Sequence, residues 1–407
     1  MEFREHKLGN GLEVVAECNP QAYSTALGFF VRTGSRDETP EIAGVSHFLE
    51  HMVFKGTPRR SAADVNRELD ELGSHSNAYT SEEQTVFYGT VLPEYQDAMV
   101  DLLADIMRPS LRDDDFETEK QVIIEEIYKY DDQPPYGAHE KCMAAYFGEH
   151  PLGQSILGTV DTVGGLTPTA MRSYFDRRYS PGNIVLAASG NIDFDRLINS
   201  AEQHCGAWKA YAAARDVTPA RGHTGVQQVE KESATQEYVI QVSSAPAATD
   251  EQRYPARLLA TIVGDDSGSR LFWALVDSGR AEYAGIGAYE FDGAGILMTY
   301  LCCAPEQTEA NLRLLTDIQQ QVQQQGVTAD ELELAKSKVC SQVVRHGERP
   351  GNRLFSVGNG WLQRRAYRSV KQSVAAYQAV TLDEINALLA AHPLTEQATV
   401  RIGPRLS

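Results

Sequence analysis

Two histidines and a glutamate fall within five consecutive residues, His47-Phe48-Leu49-Glu50-His51. On a helix, positions four apart lie one turn above each other on the same face. The imidazoles of His47 and His51 can therefore reach a single metal ion. Glu50, three positions after His47, points to the same side. There it can hold a water beside the metal and take its proton. Paired histidines on a helix are otherwise most often structural. A catalytic zinc also needs a third protein ligand and one open position.

Candidates for that ligand lie on a helix expected over 113–131. Its acidic start, Asp113-Asp114-Asp115, suits the positive end of the helix dipole. Glu119 and Glu126 are seven residues apart, close to two turns, and share a face. Glu125 points about 100° away from Glu126. An apolar stripe of Phe116, Val122, Ile123 and Ile127 is expected to pack inward. Composition does not choose among the three glutamates, all of which could equally face solvent.

The surrounding elements must hold these side chains. Asn10-Gly11 is a turn signal between strands at 3–8 and 12–17, and a further strand is expected over 24–33. The helix that carries the histidines follows Gly44-Val45-Ser46 and runs to about Phe54. Ser61 caps a second helix, with Asp64 at its third position and Gly73 at its end. Strands are expected over 74–80 and 84–92, then helices near 93–107, 113–131 and 135–147. A helix from Thr167 leads into a strand over 183–189. In the second half, strands fall over 225–232 and 236–243 and a helix near 251–263. Another helix starts around Gly268. Strands over 284–290 and 294–303, three or four helices and a last strand over 398–402 complete the order.

This order repeats. Leu166-Thr167-Pro168-Thr169-Ala170-Met171 matches Val380-Thr381-Leu382-Asp383-Glu384-Ile385, and Asp115-Phe116-Glu117-Thr118-Glu119-Lys120 matches Glu331-Leu332-Glu333-Leu334-Ala335-Lys336, at nearly one offset. The chain of 407 residues also exceeds the roughly 250–300 at which single cores stop growing. The expected fold is α+β: two homologous domains by duplication, each a mostly antiparallel mixed sheet flanked by helices. Residues 1–212 form the first domain, 213–225 a linker rich in Ala, Pro, Gly and Thr, and 226–407 the second.

With 42% hydrophobic and 23% charged residues, the composition is that of an ordinary globular chain. No apolar run approaches the ~20 residues of a membrane helix. The formal charge of −19 disfavours nucleic acid and anionic lipid, whose phosphates attract basic proteins. The six cysteines include no Cys-x-x-Cys and read as reduced, mostly buried residues. The N-terminus carries no signal-peptide pattern, so the expected location is cytoplasmic.

The segment His47-Phe48-Leu49-Glu50-His51-Met52-Val53-Phe54-Lys55-Gly56-Thr57 resembles the active-site segment of the M16 (insulinase or pitrilysin) zinc metallopeptidases. Its His-x-x-Glu-His inverts the His-Glu-x-x-His order of the zincins. The resemblance is greatest to the branch of the mitochondrial processing peptidase and its short bacterial relatives. In that family a glutamate about 75 residues after the second histidine is the third zinc ligand, and an accessory glutamate stands seven before it. The resemblance thus selects Glu126 over Glu125 and gives Glu119 the accessory place. It implies one Zn2+ per chain, held by His47, His51 and Glu126, with Glu50 as general base.

Asn77-Ala78-Tyr79-Thr80-Ser81 resembles the family's edge strand, which implies that Asn77 and Ala78 hold substrate backbone. His150-Pro151-Leu152-Gly153, with Ile156-Leu157-Gly158-Thr159, and Tyr179-Ser180-Pro181-Gly182-Asn183 resemble later signatures. The second half resembles the family's inactive copy: at the repeat offset His47 and His51 fall on Ile262 and Asp266, and Glu126 near Gln342. Ser269-Arg270-Leu271-Phe272 resembles a segment whose arginine reaches the substrate, and Tyr283 is the matching tyrosine. The run Gly279-Arg280-Ala281-Glu282-Tyr283 is one residue longer from the glycine than the family's Gly-Leu-Ala-Tyr. The resemblance implies hydrolysis of peptides or unfolded polypeptides in a chamber enclosed by two subunits. The pair would be a homodimer, or a heterodimer with a paralogue. The alternative is a non-catalytic scaffold or assembly subunit of the same family.

Overall fold

The computed structural model describes residues 1–220 and 222–405. Residue 221, inside the expected linker, and residues 406–407, at the end of the expected second domain, lie outside the described residues. Contacts divide the chain into two compact units, each an α+β layer structure. The first comprises 1–128, 154–216 and 345–368. The second comprises 129–153, 217–344 and 369–407. Two segments thus lie with the unit opposite to the one that chain order alone would give, 129–153 with the second and 345–368 with the first.

In the first unit β1 (Glu2–Lys7), β2 (Glu13–Cys18), β3 (Thr25–Val31), β4 (His75–Thr80), β5 (Thr85–Val91) and β6 (Ile184–Gly190) form one sheet in the order β1-β2-β6-β3-β5-β4. The β2–β6 pair is parallel and the others antiparallel. In the second unit β7 (Gly225–Glu230), β8 (Glu237–Ala245), β9 (Tyr283–Phe291), β10 (Ala294–Cys303) and β11 (Gln397–Gly403) run β7-β11-β8-β10-β9, again with one parallel pair, β7–β11. The five-strand pattern of β2, β6, β3, β5 and β4 recurs strand for strand, as duplication requires. Among the described residues only β1 has no counterpart.

The helices α1 (Val45–Val53), α2 (Ala62–Glu71), α3 (Gln96–Ile106), α4 (Asp113–Asp132) and α5 (Ala138–Phe147) lie close to their expected places. Ser61 caps α2 as its sequence predicts: its Oγ accepts from the Asp64 amide, and Asp64 accepts from the Ser61 amide in return. The helix expected from about Gly268 is a five-residue π-helical turn, Phe272–Val276. A further helix, not among those expected from the sequence, spans Phe194–Cys205 and is capped by Asp193.

Helix α1 is nine residues long and almost wholly buried. Val45, Phe48, Leu49, Met52 and Val53 enter the core, which leaves His47, Glu50 and His51 on the remaining face. The Phe48 ring stacks on Phe116 of α4, centroids 4.6 Å apart. Such a pair contributes about 0.5–1.5 kcal/mol beyond its buried area and fixes the distance between the two helices. On α4 the inward residues are Phe116, Glu119, Lys120, Ile123 and Ile127. Val122 departs from the expected stripe and is 47% exposed. It lies well to one side of the line through Phe116, Ile123 and Ile127, so it cannot share their face. All six cysteines are free; three are buried and three half-buried, fewer fully buried than expected.

The start of α1 is held by Glu38. Its two oxygens accept from the Gly44 and Ser46 amides, each at 2.7 Å, which satisfies donors that a helix N-terminus leaves open. Gly44 has φ +93°, and a Cβ there would lie 2.6 Å from the Leu157 carbonyl oxygen, so only glycine fits. Loss of water pushes the buried Glu38 carboxyl up to about 8, against the pull of its bonds to Ser46 and Gly44. Between its ordinary 4.5 and about 8 the folded chain holds a proton that the unfolded chain has released. Its contribution to stability is therefore full below that window and lost as pH rises through it. Glu38→Gln should remove this dependence. Melting temperatures measured from about pH 5 to about pH 8.5 should move in favour of the variant as pH rises. A constant or opposite difference contradicts the assignment.

Candidate metal centre

The three residues expected to hold the ion come together. His47 and His51 lie on α1 with ring centroids 4.8 Å apart, and Glu126 faces them from α4. Glu126 Oε2 is 3.8 Å from His47 Nε2 and 3.6 Å from His51 Nε2. One donor atom from each residue lies within 4.8 Å of the others. These separations are too long for hydrogen bonds. The two Glu126–histidine distances are close to the roughly 3.3–3.5 Å between ligands of a tetrahedral zinc with bonds of about 2.0–2.2 Å. The donor set, two imidazoles and one carboxylate, is that of a catalytic zinc site. Among the described residues this is the one such group of His, Cys, Asp and Glu. In the second unit, Ile262, at the repeat position of His47, is buried among apolar residues.

Glu125, the alternative on α4, is exposed. Glu119 is buried one layer behind these three residues: its Oε1 accepts from His51 Nδ1 at 2.9 Å, and its Oε2 meets Lys55 Nζ. The bond fixes the His51 ring with Nδ1 protonated and turns the Nε2 lone pair toward Glu126. Burial would raise the Glu119 carboxyl, but the bonds from Lys55 and His51 outweigh it and hold it low. The His47 ring is pushed down to about 3, by burial first and then by His51. It therefore stays neutral, the form that ligates.

Glu50 is mostly buried beside this group. Burial raises its carboxyl; a hydrogen bond from Thr80 and the His51 ring pull it down, and Glu126 pushes it up. A base with a raised pKa is better matched to proton transfer near neutrality. Of the carboxylates of Glu50, Glu119 and Glu126, only Glu119 is paired with an ammonium among the described residues, that of Lys55, and a divalent cation would offset the charge of the other two.

Asn77 and Ala78 lie on β4, the edge strand, Asn77 exposed and Ala78 half-buried. Arg270 and Tyr283 belong to the second unit. Arg270 directs Nε and Nη2 to Glu331 at 2.7 and 2.8 Å, and this hydrogen-bonded pair holds Glu331 down to about 2. Tyr283 opens β9 and is 45% exposed. No hydrogen bond joins Arg270 and Tyr283 among the described residues. Lys55 and Thr80 lie inside the motifs that carry the resemblance, yet neither has a role that sequence alone assigns. Both hold site carboxylates through contacts between elements far apart in the chain.

The family model described as Insulinase (Peptidase family M16) matches residues 13–160, and that of the Peptidase M16 inactive domain matches 165–339. A Mycobacterium tuberculosis protein named as an uncharacterized zinc protease is 33% identical over 392 residues, covering 95% of this chain and 89% of its own length. One of the same description from Bacillus subtilis is 30% identical over 388 residues, with 95% and 94% covered. The chain belongs to peptidase family M16. Among solved structures, a protease from Helicobacter pylori has the same fold, with TM-score 0.92 at 20% identity over 99% of this chain and 100% of that one. A peptidase M16 inactive domain from Pseudomonas fluorescens also gives 0.92, at 17% identity over 100% and 99%.

Replacing Lys55 with Met would leave Glu119 buried without its counter-ion and weaken its hold on His51. Zinc affinity, measured by chelator competition, should fall about 10- to 100-fold. An unchanged affinity would remove Lys55 from the site.

Proposed function

We propose that the chain is a zinc-dependent endopeptidase that hydrolyses peptides or unfolded polypeptides. The observation that carries this reading is the convergence of His47, His51 and Glu126, with Glu50 alongside. Those three residues would hold a zinc ion, which would supply a Lewis acid for the scissile carbonyl and lower the pKa of a nearby water. Glu50 takes the proton of the attacking water and returns it to the leaving amine. Glu119 fixes the His51 ring, and Lys55 keeps Glu119 ionised.

The substrate lies extended along β4, adding a strand beside Asn77 and Ala78. Main-chain hydrogen bonds tolerate many sequences, so specificity is loose. Arg270 and Tyr283 are the proposed substrate contacts of the second unit, Arg270 through the part of its guanidinium not engaged by Glu331. The working form is a dimer enclosing a chamber that admits unfolded chains, either a homodimer or a pair with a paralogue.

The test measures metal content and cleavage of a quenched peptide on wild type and Glu50→Gln together. Wild type should hold zinc and cleave, and lose activity on chelation. Glu50→Gln should hold zinc and cleave at least about 1,000-fold more slowly. A Glu50→Gln variant as active as wild type overturns the mechanism. A metal-free, inactive wild type supports the scaffold reading instead.

A further inference from the structure

The residue at the end of the edge strand touches the general base. Thr80 is the last residue of β4, and its Oγ1 donates to Glu50 Oε2 at 2.6 Å. Opposite it, Thr85 donates its own hydroxyl proton to the Thr33 carbonyl at 3.0 Å. Thr85 therefore offers Thr80 only a lone pair, at 3.4 Å, and the shorter contact claims the Thr80 proton for Glu50. No other side chain among the described residues donates a hydrogen bond to Glu50.

We propose that Thr80 is a positioning residue for the proton transfer: by occupying Oε2 of Glu50 it leaves Oε1 as the oxygen that takes and returns the proton. This rests on the peptidase reading of the same site. The step balances without Thr80 changing state. Water gives a proton to Glu50 Oε1 as its oxygen bonds to the scissile carbon. The same proton passes from Oε1 to the amide nitrogen as the C–N bond breaks, and Glu50 returns to a carboxylate. Throughout, the Thr80 hydroxyl stays on Oε2 and restrains a side chain that has three rotatable bonds.

Thr80 also belongs to the strand along which the substrate is proposed to lie, two residues beyond Ala78. The backbone that registers the substrate and the hydroxyl that orients the base are thus parts of one strand. A displacement of β4 would move both together.

Thr80→Val keeps the shape and removes the donor; Thr80→Ser keeps the donor. For a quenched peptide, Thr80→Val should lower kcat about 10- to 100-fold with KM and zinc content near wild type, and Thr80→Ser should recover kcat to within a few-fold. In crystals of the metal-free proteins, Glu50 should occupy one rotamer in wild type and several in Thr80→Val. Wild-type kcat in Thr80→Val, equal loss in Thr80→Ser, or a change confined to KM or zinc content overturns the proposal. So does an unchanged, single Glu50 rotamer. If wild type cleaves and Glu50→Gln does not, while Thr80→Val is fully active, this inference alone fails. If Glu50→Gln is as active as wild type, the peptidase reading fails with it.

Discussion

The site depends on the distance between two helices. Two histidines one turn apart can offer two ligands wherever their helix lies. A third, 75 residues further along the chain, is useful only if α4 stands at the right separation and rotation. The stack of Phe48 on Phe116 sets the separation. The inward residues Ile123 and Ile127 set the rotation that brings Glu126 toward the imidazoles and sends Glu125 to solvent. The apolar packing of α1 against α4 is therefore the cause of the convergence of His47, His51 and Glu126.

Behind that packing is a layer of polar contacts, each aimed at one atom. Glu38 fixes the start of α1, Glu119 fixes the ring of His51, Lys55 fixes Glu119, and Thr80 fixes Glu50. Each contact removes a freedom that the apolar core leaves open: helix register, imidazole tautomer, carboxylate charge and carboxylate rotamer. Buried groups this numerous are costly unless all are paired, so the layer rigidifies the site only as a complete set.

Much of this was legible in the sequence, for identifiable reasons. The histidines and Glu50 are local in sequence, and helical geometry alone puts them on one face. The duplicated order of elements was readable because its capping and apolar patterns recur at nearly one offset. Glu126 was not derivable from periodicity, since Glu119, Glu125 and Glu126 all fit a polar helix surface; the choice came from resemblance to a family. Val122 was misplaced because an apolar residue beside a stripe looks like part of it until the rotation of the helix is known. The helix over Phe194–Cys205 went unread although Asp193 caps it and Phe194, Leu197, Ala201 and Cys205 face the core. The roles of Lys55 and Thr80 have no sequence signal, because each depends on a partner brought close only by the tertiary fold. The placement of 129–153 and 345–368 with the opposite units is likewise a property of topology, which no local pattern records.

The central claim is that two imidazoles and one distant carboxylate bind one divalent ion. X-ray absorption at the zinc edge, with anomalous diffraction from the same zinc-loaded protein, tests it most directly. The account predicts one zinc per chain, bonded to His47 Nε2, His51 Nε2 and a Glu126 oxygen at about 2.0–2.2 Å. Zinc bound elsewhere, or a zinc shell that contains the two histidines but not Glu126, would contradict it.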